Sequence, residues 1–204
     1  MLRVSADGHI DNVVLRFRND DRGFVRIDAG GITVPFFPRP KWTVSPSGAR
    51  VGVLTTHMDA PDPYMLVHVA DDRGNAIVDR SFPFVPHPVP DGVRDSVIHA
   101  YASLVSDTTV SRDIESALRG AVPAVYPPAT DILIGTDNRI WIGMQPGDEG
   151  TRWRVLSPYG EPQGEVLLPP RVRLRSAGAD YLLATERDEF DVESIVRYRI
   201  GQAL

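Results

Sequence analysis

The chain has 204 residues, 42% of them hydrophobic and 24% charged, enough apolar material for a core. Its formal net charge of -5 argues against a nucleic-acid backbone as the main partner, because that partner calls for a basic field. The lack of cysteine excludes a disulfide scaffold, a thiolate zinc site, an iron–sulfur cluster and a cysteine nucleophile, and no apolar run approaches the ~18 residues of a membrane span.

Met1-Leu2-Arg3-Val4-Ser5 does not open a signal peptide. The first unit of the chain carries the turn Val4-Ser5-Ala6-Asp7-Gly8, then the acidic pair Asp20 and Asp21. Strand alternation follows: Val25 and Ile27 oppose Arg26 and Asp28, and Ile32, Val34 and Phe36 continue it. The second unit reads as four strands at 41–45, 51–56, 64–70 and 75–82. Asp71-Asp72-Arg73-Gly74-Asn75 joins the last two as a tight turn; it lacks the ligand spacing and terminal Glu of a calcium loop.

Pro83, Pro86, Pro88 and Pro90 then lead into a segment that breaks the β pattern. Over 91–106, Val93, Val97, Ile98, Tyr101, Leu104 and Val105 recur at helical spacing, with Asp95 near the favourable N-terminal end. A second helix is expected over 112–119, with Ser111 as N-cap and Gly120 as its stop. Residues 91–120 therefore form a helical insertion, and the proline-rich stretch 122–128 returns the chain to the sheet. The third unit has strands at 131–135, 140–144, 152–157 and 164–168. The fourth ends at 194–200, where Val196, Tyr198 and Ile200 alternate with Arg197 and Arg199, and too little follows for a full outer strand.

A turn sequence recurs through these units. Its copies begin at Val4, Val44, Ile134 and Arg175, offsets of 40, 90 and 41, which an insertion of about fifty residues reduces to one period near 40. Several short strands per period point to propeller blades; a β-sandwich is the alternative. The expected fold is all-β, one domain over 1–204: a β-propeller of about four blades of four-stranded antiparallel sheets, the last incomplete. The insertion at 91–120 falls between blades two and three, where it packs on the blades or caps one mouth of a central channel. Trp42, Trp141 and Trp153 occupy strand positions, where their rings are expected to fill gaps between blades. Arg152, Arg154, Arg171, Arg173 and Arg175 read as solvated strand faces or inter-blade ion pairs.

Thr136-Asp137-Asn138-Arg139-Ile140-Trp141-Ile142 resembles the D-x-x-G-x-[IL]-W strand–turn–strand of bacterial propellers, with Asn138 in place of Gly. Asn tolerates the left-handed backbone that such a turn needs. The run from Trp42 through Ser47-Gly48 and the closing Glu193–Ile200 segment are similar to uncharacterised bacterial six-bladed propellers, related in fold to the NHL, gluconolactonase-like and TolB-like groups. The resemblance implies six blades, of which this chain would carry the C-terminal four, and a periplasmic or secreted setting. Open blade edges would then call for strained closure, self-association or a missing N-terminal half.

Chemistry is sparse. No GxSxG, HExxH, P-loop, GxGxxG or EF-hand loop is present, and the five histidines show no ligand spacing. His57 with Asp59 offers a base and an orienting acid, without a nucleophile beside them. The loop between the second and third strands of each unit is acidic: Asp20 and Asp21; Asp59 and Asp62; Asp148 and Glu149; Glu186, Asp188, Glu189 and Asp191. In a propeller these loops share a face with the helical insertion, and their field would attract calcium, a basic peptide or an amine-bearing ligand. The plain reading is that polar loop tips keep the molecule soluble.

The expected function is a noncatalytic ligand- or protein-binding module, with His57, Asp59, Asp148, Glu149, Glu186, Asp188 and Asp191 on the binding face. Its partner would be a protein or a small molecule, with calcium as the candidate ion, no nucleic acid and no membrane span. The gluconolactonase-like resemblance implies the alternative, a metal-dependent lactonase or esterase whose Glu, Asn and Asp ligands do not map onto residues here.

Overall fold

The computed structural model describes residues 1–4, 7, 9–17, 23–27, 30–104 and 108–201. Two short hairpins come first: β1 (Leu2–Val4) with β2 (Ile10–Val13), and β3 (Phe24–Ile27) with β4 (Gly30–Thr33), each a separate two-stranded sheet. Next, β5 (Lys41–Val44), β6 (Arg50–His57), β7 (Tyr64–Asp71) and β8 (Ala76–Pro83) form a four-stranded antiparallel meander, the first sheet. A two-stranded ribbon of β9 (His87–Pro88) and β10 (Val125–Tyr126) brackets the helices α1 (Asp91–Ala102) and α2 (Thr108–Ala121). The second sheet is the meander β11 (Ala129–Ile134), β12 (Ile140–Met144), β13 (Thr151–Leu156) and β14 (Pro162–Leu168). The third has three strands, β15 (Val172–Ala177), β16 (Tyr181–Arg187) and β17 (Glu193–Arg199). The molecule is thus mostly β, in small antiparallel sheets with two helices, and the described residues form no closed ring.

Alternation along each strand decides what is buried. On β6 and β7, Leu54, Met65, Val67 and Val69 point one way and meet Ile132, Ile134, Ile140, Ile142 and Leu156 of the second sheet in a continuous apolar layer. The opposite face of the second sheet presents Trp141, Trp153 and Val155 to Val172, Leu174, Leu182 and Ala184 of the third. Three sheets therefore stack face on face in chain order. β12 is buried along most of its length because it faces apolar neighbours on both sides.

The repeated turn sequence sits at the same point of each sheet, between its first and second strands. Ser45 Oγ accepts the Arg50 N–H at 3.0 Å, and Asp137 Oδ1 accepts the Arg139 N–H at 3.1 Å. Asn138 adopts φ 63°, the left-handed backbone that the missing glycine would have supplied. The turn after β7 is tied by Asp71, whose Oδ1 accepts the N–H groups of Arg73 and Asn75 at 2.9 and 2.8 Å. The Asn75 side-chain amide and the two backbone N–H groups hold the Asp71 carboxyl below its ordinary value of 3.8. A depressed carboxyl contributes stability in full above its unfolded value and loses it as pH falls through the folded one. Asp71→Asn is therefore expected to flatten the acid limb of the stability curve, measured as urea midpoints between about pH 5 and pH 2. An unchanged acid limb would assign that limb to other carboxylates.

Several expectations need correction. The first unit is not a four-stranded blade. Met1, Val14 and Leu15, flanking the β1–β2 hairpin, pack on Val51 and Val53 of the first sheet. The β3–β4 hairpin instead gives Val25, Ile32 and neighbouring Val34 to Ile98, Ala102, Ile114 and Leu118 of the helices and to Val122 just after α2. Each hairpin uses its apolar side on a different surface, so the two never join. Asp20, Asp21, Asp28, Val105 and part of the first turn copy lie outside the described residues.

The helices also differ in detail from the expectation. α2 starts before Ser111, whose hydroxyl donates to the Ala102 carbonyl at 3.0 Å instead of capping the helix. Pro90 occupies the N-cap of α1, and Asp95 pairs with Arg119 of α2 at 2.7 Å. Trp141 and Trp153 fill the space between sheets, but Trp42 is 58% exposed because it lies on the outer face of the first sheet. Arg152 and Arg154 pair with Glu165 across β13 and β14, within one sheet and not between two.

Candidate functional site

The outer face of the first sheet lies at one end of the stack, where Met1, Val14 and Leu15 pack on Val51 and Val53 but neither of the other two large sheets covers it. Cross-strand register places Trp42, Val53, His68 and Asp79 in one row of it, Thr55, Leu66 and Ser81 in the next, and His57 opposite Tyr64 in a third. The same strands that send Leu54, Met65 and Val67 into the core send Thr55, His57, Leu66 and His68 outward. Polar residues at alternate positions of β6 and β7 are thus the cause of a polar floor on an otherwise apolar sheet.

Walls rise over this floor from three other segments. Leu15, Arg16 and Phe17 follow the first hairpin, Phe37, Pro38 and Pro40 lead into β5, and Pro123 lies on the return from α2. Together they enclose a cleft of about 1110 Å³. The 37–40 wall is braced from outside: the Arg39 guanidinium lies 4.3 Å from the centre of the Phe24 ring and donates to the Gly23 carbonyl at 2.7 Å. Phe36 carries a positive φ of 57°, a conformation bulky side chains rarely hold. There its ring meets Tyr126 edge-on at 5.1 Å, while its neighbour Phe37 lines the cleft.

Within the cleft, the His57 ring stacks on Tyr64 with centroids 4.5 Å apart and planes at 13°. The Thr55 hydroxyl lies 3.3 Å from His57 Nε2. His68 Nδ1 faces Asp79 Oδ2 at 3.8 Å, beyond hydrogen-bonding distance but close enough for the carboxylate to bias the ring's orientation. The floor therefore offers a hydroxyl, two imidazoles and a carboxylate, a mixed set of donors and acceptors. The walls add aromatic and prolyl surface. Such a combination can orient the polar edge of a ligand while covering an apolar body.

Of the residues singled out in the sequence, only His57 and Asp59 meet in this cleft. Asp148 and Glu149 lie on the β12–β13 loop, closed by reciprocal backbone bonds between Gly147 and Gly150 at 2.9 and 3.1 Å. That loop borders a second hollow of about 730 Å³, lined also by Phe84, His87, Tyr126 and Met144 near the stems of the helical segment. Glu186 sits on β16; burial, and after it the Glu186 carboxylate, raises the Tyr198 phenol above its ordinary value. Asp188 is spent on its own turn, its Oδ1 accepting the N–H groups of Phe190 and Val192 at 2.9 Å each. Asp191 holds φ 62° beside Arg187. Among the described residues no group of three or more His, Asp or Glu side chains lies close enough together to hold a metal ion.

Thr55, Leu66, His68, Asp79, Phe17 and Phe37 have no motif to mark them. The available signal was the departure of Thr55, His57 and His68 from apolar alternation on two strands otherwise rich in valine and leucine. Against known proteins, no family model, no curated protein and no solved structure matches the chain.

Proposed function

We propose that the chain is a noncatalytic binding module built on an open arc of propeller-type blades, with its ligand seated in the cleft over the first sheet. The face-on-face stacking of successive antiparallel meanders, with β11 beside both β5 and β15, supports the blade reading. The observation that carries the binding reading is the polar floor of Thr55, His57, His68 and Asp79 on the outer face, roofed by Phe37, Pro38 and Pro40. Asp59 of an acidic loop and Pro123 of the helical segment both border it, which supports part of the expected binding face. The ligand class that fits is a small molecule with a flat apolar body and a hydrogen-bonding edge, such as an aromatic amine or a sugar.

The test is a two-dimensional NMR titration of the whole chain with a small library of aromatic amines and monosaccharides. Ligands that bind should shift the resonances of Thr55, His57, Leu66 and His68. His68→Ala and Phe37→Ala should each weaken binding by about tenfold, the loss of one buried contact or hydrogen bond. Shifts confined to other surfaces, or affinities untouched by both substitutions, would refute the assignment.

A further inference from the structure

A second surface with a defined chemistry lies at the other end of the stack, and it concerns a partner chain instead of a small ligand. We propose that the open edge of β17 takes up an extended segment of a second polypeptide whose side chains alternate between acidic and apolar. The proposal rests on reading the third sheet as an unfinished member of the stack, and it is independent of the cleft.

The first and second sheets have four strands and the third has three, with β17 on its rim. Hydrogen-bonded pairs alternate along an antiparallel ladder. The Ile200 N–H reaches the Asp180 carbonyl at 2.9 Å and the Asp188 N–H reaches the Val192 carbonyl at 3.2 Å, which fixes the phase. Ser194, Val196 and Tyr198 therefore turn their backbone groups toward β16, and Ile195, Arg197 and Arg199 turn theirs outward. No strand lies beside β17 on that rim among the described residues, and Ile195 on it is 83% exposed. An uncovered row of backbone donors and acceptors is a template for another strand.

The two faces of β17 say which strand fits. Arg197 and Arg199 lie opposite Leu183 and Tyr181, on the face that points away from the second sheet. Arg173, opposite Thr185, and Arg175, whose Nε donates to the Thr185 hydroxyl at 3.1 Å, share that face. The Arg197 guanidinium lies 4.8 Å from the centre of the Tyr181 ring. Among the described residues no carboxylate comes within 4.0 Å of any of these four arginines. Glu193, on the same face, is held by Arg187 at 2.8 Å and also feels the charges of Arg175 and Arg173. In a chain of net charge -5 this is a local cationic surface on which none of the four arginines has a close ion-pair partner among the described residues.

On its other face, β17 adds Tyr198, followed by Ile200, to the apolar layer that Val166 of β14 also borders while half-buried. A strand paired antiparallel to β17 would place every second side chain beside the guanidiniums and the intervening ones over that apolar border. Alternating acidic and apolar residues satisfy both rows. A polyanion lying on the arginines would use only one of them and would leave the backbone edge unpaired.

The experiment uses the full chain and fluorescent peptides of about the seven-residue length of β17. The probes are alternating Val and Glu, the same composition in two blocks, and alternating Val and Lys, with a thymidine oligonucleotide as a fourth. The alternating acidic peptide is expected to bind, and the blocked isomer and the Lys peptide to bind at least about tenfold more weakly. Ile195→Pro removes one outward N–H while keeping the ladder to β16 and every arginine, and it should cost about tenfold. The double variant Arg197→Glu, Arg199→Glu should cost more and lose the salt dependence. N-methylating the Glu amides of the peptide, which lie opposite Arg197 and Arg199 and face β17, tests backbone pairing without altering the protein and should abolish binding, whereas methylating the Val amides should not. The proposal is overturned by no binding, by equal affinity for the blocked isomer, by a Glu-methylated peptide as tight as its parent, or by tighter binding of the oligonucleotide. Concentration-dependent pairing of the chain through β17, lost in Ile195→Pro, would overturn it in favour of a second copy.

Discussion

Trp141→Ala is expected to destabilise the protein by about 3–5 kcal/mol, the cost of removing a large ring from a site that cannot collapse. Trp141 is 1% exposed and lies in the layer between the second and third sheets, with Trp153, Leu174 and Leu182 in the same cluster. Two sheets held apart by their own hydrogen-bonded frames have little freedom to close the void. The indole Nε1 has no protein acceptor among the described residues, so Trp141→Phe discards an unpaired donor along with its carbons. That variant should lose only about 1–2 kcal/mol. Trp42→Ala provides the contrast: a ring 58% exposed on the outer face of the stack should cost less than about 1 kcal/mol. Chemical denaturation of the three variants checks the ranking. Equal losses for Trp42→Ala and Trp141→Ala would mean that the outer face is covered in solution.

The second large effect concerns backbone, not core. Gly150 has φ +123°, and a Cβ built there would lie 2.0 Å from the Leu168 carbonyl oxygen and 2.9 Å from the Pro169 carbonyl carbon. Neither contact can be relieved by turning a side chain, because both partners are main chain at the end of β14. Gly150→Ala is expected to cost about 3 kcal/mol, or about 6–12 °C in Tm for a chain of this size. Gly147, across the same loop, has open space around its Cβ position, and Gly147→Ala should fall within about 0.5 kcal/mol of the parent. If the two substitutions melt alike, the β12–β13 loop does not hold this geometry, and the placement of Asp148 and Glu149 on it loses its support.

The strands of the first and second sheets were legible because each combines clean alternation with turn residues at fixed points. The expected 64–70 and 75–82 became Tyr64–Asp71 and Ala76–Pro83, and the left-handed turn at Asn138 followed from residue chemistry alone. Pairing in the first hairpins was not legible. The pattern Val25-Arg26-Ile27 says that one face is apolar, but not that its nearest apolar surface is a pair of helices seventy or more residues further on. Trp42 shows the same limit: period two marks a strand residue and a face, while which sheet ends the stack depends on contacts far along the chain.

The cleft shows it again. His57 and Asp59 were noticed because they are neighbours in sequence, whereas His68 and Asp79 reach them only through the register Val53 to His68 to Asp79 across three strands. Acidic loops drew attention by composition, yet Asp188 and Asp71 are used to fold their own turns, a role that composition does not distinguish from ligand binding.

Diffraction from crystals of the wild-type chain soaked with aromatic-amine and sugar fragments tests the cleft as a binding site. Fragment density is expected between the Phe37–Pro40 wall and the floor of Thr55, His57 and His68, with a polar edge of the fragment toward Asp79. Density that appears only elsewhere on the surface, while this cleft holds solvent alone in crystals whose lattice leaves it open, would contradict it.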